Sequence, residues 1–329
     1  MTEFDHADAA QRPAPVHAIG VDVGGTKILG VATAADGSII ERLIAPTPKA
    51  AAEVPGAISG VVGALIHEVG RPATVGVGVP GLVDNDGVLR YGPNVPGVVG
   101  LDMPARIRDD FDLPAVAEND ASCAALAEHR FGAARGHDHA VIVTQGTGIG
   151  GGLIVNNGLL RGANGFAGEP GHMLIDRFGP VCACGTQGCW EAVASGAGLA
   201  NIARQFVEEG RAGKVLANAG GVAEHIRGEH VAAALADADD DALAIIDRFA
   251  WWVAQGLASL ITLLDPGVVV LGGGLTAISS AFIPDVQERV ADTVLGGAHR
   301  PTVPIRSAQL GAEAGAYGAS LLAAETLAG

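Results

Sequence analysis

The sequence is poor in basic residues. Lysine and arginine together number 20, against 36 aspartates and glutamates, so the formal net charge at pH 7 is -16. Such a charge repels nucleic-acid phosphates and anionic membrane surfaces. Long apolar runs are also missing, because the most apolar helical stretch, residues 250–264, is shorter than the roughly 20 residues that span a bilayer, and Asp265-Pro266 ends it. We therefore expect no nucleic-acid partner and no membrane insertion.

A secretory signal is not evident. The first residues, MTEFDHADAAQRPAPVHAIG, carry acidic residues and prolines where a signal peptide has a basic start and an apolar core. We expect residues 1–15 to be a disordered leader and the protein to be cytoplasmic. Cysteine is scarce, with four residues in the chain. Three of them lie close together in CACGTQGC at 182–189, and Cys123 stands alone. This distribution favours a metal site over a disulfide framework.

The hydrophobic pattern indicates an α/β protein. The chain of 329 residues, 49% hydrophobic, is long enough for one or two sizeable cores, and two domains sharing a cleft are the preferred organisation. Runs rich in Val and Ile and closed by glycines predict buried strands, and periodic apolar patterns between them predict helices. The predicted strands lie at 17–25, 74–81, 140–152 and 267–274, and the predicted helices at 54–70, 120–132 and 241–265, with a closely packed helix at the C-terminus.

Three glycine-rich turns follow predicted strands. In the first, DVGGTK at 22–27, Asp22 ends the strand and two glycines follow. Glycines let backbone N–H groups approach phosphate oxygens, and a carboxylate at this position can hold magnesium through water. A tight hairpin turn between Val23 and Ile28 would also explain the glycines, but not the position of Asp22.

The second and third turns suit other parts of a nucleotide. TQGTGIGGG at 144–152 can form a second phosphate cradle, with the Thr147 hydroxyl as a donor, and Gly272-Gly273-Gly274 leaves a strand end open to a flat ring. Neither a Walker P-loop nor a convincing dinucleotide fingerprint is present.

The three turns, in this order, resemble the two phosphate loops and the adenosine loop of the actin, hexokinase and heat-shock chaperone superfamily. GEPGH at 168–172 and CACGTQGCWE at 182–191 narrow this to a resemblance to the ROK family of bacterial sugar kinases and repressors. The resemblance implies an actin/hexokinase-like, ribonuclease H-like fold with an interdomain cleft. Its small domain would comprise 16–118 plus about 306–329, its large domain 119–305 with a zinc-binding loop, and the protein would form a homodimer or homotetramer.

The resemblance also implies a set of site residues. Asp120 would be the general base for a sugar hydroxyl, although residue type alone favours a helix-capping role for it. The implied sugar ligands are Asn94, Asn119, Asp120, Glu169, His172 and Glu191. The implied contacts to ATP and Mg²⁺ are Asp22, Gly24, Gly25, Thr26, Lys27, Thr147, Gly148, Gly150, Gly272, Gly273 and Gly274.

The clustered cysteines have C-x-C-x4-C spacing, with a histidine ten residues upstream. His172, Cys182, Cys184 and Cys189 therefore form a Cys3His set suited to tetrahedral zinc. Four protein ligands leave no open coordination position, so the zinc would be structural. The alternative is three reduced cysteines in the core.

The expected function is ATP-dependent phosphorylation of glucose to glucose 6-phosphate, with ATP, Mg²⁺ and structural Zn²⁺ as cofactors. The alternatives are an N-acetylmannosamine or N-acetylglucosamine kinase, a polyphosphate-dependent glucokinase, and a sugar-sensing repressor of the same family. The repressor is disfavoured because only 21 residues precede Asp22, too few for a three-helix DNA-binding unit, and because the chain is acidic.

Overall fold

The computed structural model describes residues 15–92 and 99–328, and two five-stranded sheets dominate it. The first sheet contains β1 (Val16–Val23), β2 (Lys27–Ala34), β3 (Ile39–Pro46), β4 (Thr74–Val79) and β7 (Ala115–Asn119), in the order β3-β2-β1-β4-β7. A short hairpin follows β4 and consists of β5 (Leu82–Val83) and β6 (Leu89–Tyr91).

The second sheet repeats the topology of the first. It contains β8 (Ala140–Gln145), β9 (Ile149–Val155), β10 (Gly158–Leu159), β11 (Val268–Gly272) and β12 (Ile305–Ser307), in the order β10-β9-β8-β11-β12. In both sheets the first three strands form an antiparallel meander and the last two pair in parallel. The parallel strands require crossovers, which the helices supply.

Helices cover both faces of each sheet. They are α1 (Val54–Val69), α2 (Met103–Phe111), α3 (Asp120–Phe131), α4 (Glu191–Ala194), α5 (Gly196–Glu208), α6 (Gly213–Asn218), α7 (Gly228–Ala236), α8 (Asp240–Leu264), α9 (Ile283–Thr293) and α10 (Ala314–Ala328). Polar residues cap several of them: the Asp102 and Asp239 carboxylates accept hydrogen bonds from Ala105 and Ala242 N–H at the starts of α2 and α8.

The layers run α1 and α2, first sheet, α10 and α3, second sheet, then α5 and α8. The two central helices are rich in small residues, which allows their backbones to approach closely. A Cβ built on Gly318 of α10 would lie 1.7 Å from the Cys123 carbonyl oxygen of α3, so no larger residue fits there. The helix pair therefore joins the two sheets, and α3 runs from the end of β7 along β8 and β9.

Most predicted elements form close to the expected positions. One difference is that the segment at 140–152 contains two strands, because its glycine-rich turn is the connection of the β8–β9 hairpin. The first glycine turn is also a hairpin, with Val23 opposite Ile28, as the alternative interpretation had it. Among the described residues, no helix combines the length and hydrophobicity needed to span a bilayer.

Candidate active site

A cleft of about 1180 Å³ opens between the two sheets, and most of the predicted site residues line it. They come from the ends of β1, β7, β8 and β11 and from the segment between β10 and α4. Four predicted residues are not on the cleft wall: Thr26 and Gly274 lie in the turns, Lys27 begins β2, and Cys189 is buried. Asn94 lies outside the described residues. The predicted residues on the wall are Asp22, Gly24, Gly25, Asn119, Asp120, Thr147, Gly148, Gly150, Glu169, His172, Cys182, Cys184, Glu191, Gly272 and Gly273.

Asp22 lies at the end of β1, beside the first glycine turn. The Gly24 N–H donates to the Lys27 carbonyl at 2.9 Å, and the Thr47 hydroxyl braces the turn by donating to the Gly24 carbonyl at 2.6 Å. Burial and the negative charge of Asp120 raise the pKa of Asp22 to about 7, while Lys27 acts in the opposite direction. The carboxylate is therefore near its ionisation midpoint at neutral pH.

Asp120 begins α3 but does not cap it. The cap is Asn119, whose side-chain oxygen accepts the Ser122 N–H at 3.0 Å while its side-chain nitrogen donates to the Gly81 carbonyl at 3.0 Å. Among residues 15–92 and 99–328, the Asp120 carboxylate accepts a hydrogen bond only from the adjacent Ala121 N–H, at 2.9 Å, and it otherwise faces the cleft. Burial raises its pKa, which suits a group that must accept a proton near neutral pH.

Neighbouring elements hold the second glycine turn. The Gly146 N–H donates to the Gly148 carbonyl at 2.9 Å, and the N–H groups of Gly196 and Ala197 at the start of α5 donate to the Gly146 and Thr147 carbonyls. The turn is thus fixed from two sides, with its own glycines exposed to the cleft. This arrangement can receive phosphate oxygens without reorganisation of the loop.

Three further polar side chains line the cleft, and they come from the segment between β10 and the start of α4. His172 is exposed to the cleft, Glu191 begins α4, and Glu169 precedes a single 3-10 turn at Pro170–His172. Burial raises the pKa of Glu169, the carboxylates of Asp120 and Glu191 add to the effect, and His172 opposes it. Carboxylates and an imidazole in one pocket are suited to the several hydroxyl groups of a sugar.

The cysteine cluster adjoins this pocket. The potential ligand atoms of His172, Cys182, Cys184 and Cys189 all lie within 4.8 Å of one another. The sulfurs of Cys184 and Cys189 are 3.7 Å apart. Zinc–sulfur bonds of about 2.3 Å in a tetrahedron place two sulfurs about 3.8 Å apart, so the four residues fit a closed zinc site. Hydrogen bonding from the Thr186 backbone lowers the pKa of Cys184 to about 6, whereas burial raises that of Cys182 to about 12.

Trp190 anchors this segment in the core of the second sheet. Its indole is fully buried against α8, and its ring N–H donates to the Trp252 carbonyl at 2.8 Å. The residues on either side, Cys189 and Glu191, are thereby fixed, one in the cysteine cluster and the other in the cleft.

The family follows from comparison with known proteins. A model described as the ROK family matches residues 18–326. The chain belongs to the ROK family. A glucokinase of Streptomyces coelicolor is 36% identical over 312 residues, which cover 93% of this chain and 97% of that protein. An N-acetylmannosamine kinase of Escherichia coli is 32% identical over 308 residues, with the same two coverages.

A solved structure supports the same conclusion. A ROK family glucokinase from Streptomyces griseus, crystallised in complex with glucose and AMPPNP, superposes with a TM-score of 0.83 at 35% identity, covering 94% of this chain and 99% of that one. The predicted α/β, actin/hexokinase-like fold of ROK sugar kinases is therefore confirmed.

The structure also brings residues into this ROK site that the sequence analysis did not single out. Asn201 of α5 and Thr276, which follows the third glycine turn, line the cleft, and Arg161 forms an ion pair with buried Glu118. Glu118 directly precedes the predicted site residues Asn119 and Asp120, so its position was visible in the sequence, whereas Arg161 lies 43 residues away and has no local sequence signal.

Proposed function

We propose that this ROK protein is a glucokinase that transfers the γ-phosphoryl group of ATP to the 6-hydroxyl of glucose. The main observation behind the proposal is the position of Asp120. Its carboxylate faces the cleft, because Asn119 and not Asp120 caps the helix. The glycine turns lie on the same cleft, as a reaction between a sugar and a nucleotide requires. Similarity to glucokinases over nearly the whole chain supports the choice of reaction.

Asp120 acts as the general base. As the glucose hydroxyl oxygen forms a bond to the γ-phosphorus, the bond between that phosphorus and the β–γ bridging oxygen breaks, and the hydroxyl proton passes to the Asp120 carboxylate. The raised pKa of Asp120 makes it a stronger base than an exposed aspartate. Asn119 retains one side-chain N–H and one oxygen lone pair, which can bind a sugar hydroxyl.

The glycine turns hold the phosphates. Among the residues that the structure describes, the cleft wall carries no lysine or arginine, so backbone N–H groups are its main fixed donors to phosphate oxygens. Magnesium, when bound with ATP, neutralises phosphate charge. Asp22 is the carboxylate at this end of the cleft that can hold the ion through water.

The lack of lysine and arginine on the described cleft wall favours ATP over polyphosphate as the phosphoryl donor. A long polyanion with many charges requires several basic side chains along its path, whereas this cleft wall carries Asp22, Asp120, Glu169 and Glu191. A nucleotide instead has an uncharged ring, which the third glycine turn and the adjacent Ala308 can receive. Donor choice therefore follows from the charge of the cleft.

Zinc has a supporting role in this proposal. His172, Cys182, Cys184 and Cys189 would hold it, and the closed set leaves no position for a substrate oxygen. The Nδ1 atom of His172 faces the sulfur of Cys182 at 4.0 Å, which leaves Nε2 for a sugar hydroxyl. When bound, the ion fixes the segment that carries the sugar ligands.

We further propose that the two sheets are the centres of two domains, 16–118 with about 306–329 and 119–305, which close on the substrates. The packing of α10 on β1 and β4 supports the assignment of the C-terminal helix to the first domain. We also propose that the protein is cytoplasmic and forms a homodimer or homotetramer, the assembly that the family resemblance implies. Light scattering coupled to size-exclusion chromatography tests the oligomeric state.

A second candidate is N-acetylmannosamine kinase activity, favoured by the 32% identity to the Escherichia coli enzyme of that name. The two candidates differ in the group at the sugar 2-position. A coupled assay with glucose, mannose, N-acetylmannosamine and N-acetylglucosamine, each with ATP or polyphosphate as donor, separates them. We expect the highest kcat/KM for glucose with ATP; a higher value for an N-acetylhexosamine would assign the second function.

A further inference from the structure

An ion pair beside the cleft, next to Asn119, links the first-sheet side of the molecule to the second-sheet side. Glu118, the last residue but one of β7, is only 2% exposed, and its Oε2 accepts a hydrogen bond from Arg161 Nε at 2.5 Å. Arg161 comes from the segment that follows β10, so the pair connects an edge strand of the first sheet to an edge strand of the second. Burial raises the pKa of Glu118, and Arg161 opposes this effect.

The contact extends to the β5–β6 hairpin. Arg161 Nη2 donates to the Asp84 carbonyl at 3.4 Å, and the Asn85 side-chain amide donates to the Ala163 carbonyl at 2.9 Å. We call Arg161, Glu118, Asp84, Asn85 and Ala163 the sugar clasp. Each of its three hydrogen bonds joins the first-sheet side to the second-sheet side.

The clasp is connected to substrate-facing residues at both ends. On the first-sheet side, Glu118 Oε1 accepts the N–H of Asn119 at 2.8 Å, and Asp120 follows directly. On the second-sheet side, the Arg161 carbonyl accepts the Ala167 N–H at 3.1 Å, which closes the loop two residues before Glu169. A displacement of Arg161 therefore moves the proposed base and a proposed sugar ligand relative to each other.

We propose that Arg161 is a positioning residue for the sugar. It neutralises Glu118 and holds the Glu169 loop at a fixed distance from Asn119 and Asp120, so that both sides contact one hexose. This inference rests on the proposed sugar kinase function. It concerns the sugar alone, because the glycine turns that face the nucleotide are braced by other contacts, at Thr47 and at the start of α5.

The first test is Arg161→Met. It should lower kcat/KM for glucose by about tenfold or more, the loss expected for a charge-assisted hydrogen bond, and leave the KM for ATP nearly unchanged. Arg161→Lys keeps the charge but not the fork of donors, so it should recover only part of the loss. Asn85→Ala should shift the glucose KM in the same direction, by less.

A matched control lies on the same hairpin. Arg90 pairs with the Asp84 carboxylate at 2.6 Å, but it is 55% exposed and does not reach the second sheet. Arg90→Met should leave both KM values unchanged. An equal effect of Arg90→Met and Arg161→Met would overturn the proposal, because the hairpin alone would then account for the loss.

The second test separates positioning from stability. Arg161→Met leaves a buried carboxylate without its counter-charge and should lower the Tm, whereas the double variant Glu118→Gln/Arg161→Met removes both charges and should recover much of the Tm. We expect the double variant to keep a raised glucose KM. Recovery of the glucose KM together with the Tm would contradict a positioning role. Absence of activity toward every hexose in the wild type would instead reject the proposed function.

Discussion

Glu191 connects the cysteine-rich segment to the second glycine turn through Ile149. Its Oε2 accepts the Ile149 N–H at 2.7 Å, and its Oε1 lies 3.3 Å from the sulfur of Cys182. The approach is so close that a Cβ built on Gly148 would lie 2.2 Å from Oε2, which accounts for a glycine at that position. One carboxylate thus contacts the cysteine-rich segment and the second glycine turn, and it also lines the cleft.

Glu191→Ala should therefore impair both substrates. We expect kcat/KM for glucose to fall by about tenfold or more, with a raised KM for ATP, because a partly buried, charge-assisted hydrogen bond to a backbone N–H is worth about 1.5–3 kcal/mol. Initial rates with each substrate varied in turn give both values. Glu288→Ala, at an exposed position on α9, serves as the control and should behave as wild type. An unchanged KM for ATP would show that Glu191 does not support the phosphate turn.

The pH dependence of activity should report on Asp22. Burial and the charge of Asp120 raise the pKa of Asp22 to about 7, and the charge of Lys27 partly opposes this shift. The nearby Cys123 thiol stays neutral, because burial raises its pKa well above the ordinary value. In its proposed role Asp22 must be ionised to hold magnesium through water, so kcat/KM for ATP-magnesium should rise as pH increases through about 7 and then level. Lys27→Met should move this rise to higher pH. A flat pH profile in both proteins would contradict the assignment.

Asp22 should also make stability depend on pH. Raising the pH through the pKa of Asp22 should lower the stability of the folded protein, although it raises activity. A folded-state pKa near 7, above the ordinary 3.8, means that the folded protein binds the proton more tightly than the unfolded chain. The stability contributed by the protonated carboxyl is then present at low pH and lost as pH rises through about 7. Asp22→Asn should raise the Tm of the metal-free protein more in alkaline than in acidic buffer, while abolishing activity. An equal Tm change in both buffers would disprove the linkage.

The zinc proposal predicts one ion per chain after purification without chelators. Cys184→Ser removes a ligand that is not a proposed sugar contact, so it should lose zinc, lower the Tm and raise the glucose KM. Metal analysis, thermal unfolding and steady-state kinetics measure the three effects. Cys123→Ala is the matched control, since Cys123 lies in α3 away from the cluster, and it should retain zinc. A native protein without zinc would refute the whole proposal. If the variant loses zinc but keeps a normal glucose KM, the ion stabilises the fold but does not affect sugar binding.

Local sequence signals predicted the strands, the long helices, the glycine turns and the cysteine cluster, because each of these features depends on residues that are close in the chain. Residue type alone favoured Asp120 as the cap of α3, whereas the structure assigns that role to Asn119, because the cap depends on the backbone geometry at the start of the helix. The clasp between Glu118 and Arg161 was missed because their meeting depends on how the two sheets pack. Asn201 and Thr276 reach the cleft for the same reason. The predicted ligand Asn94 lies outside the described residues.

The central claim is that Asp120 takes the proton of the sugar hydroxyl during phosphoryl transfer. Its carboxylate is free for this task because Asn119 caps the helix. The direct test is the turnover of Asp120→Asn with glucose and ATP-magnesium, in protein whose folding is verified by circular dichroism and whose glucose binding is verified by a ligand-induced shift in Tm. We expect kcat to fall by about 100-fold or more while glucose still raises the Tm. A kcat within a few-fold of wild type, in folded protein that binds glucose, would contradict the account.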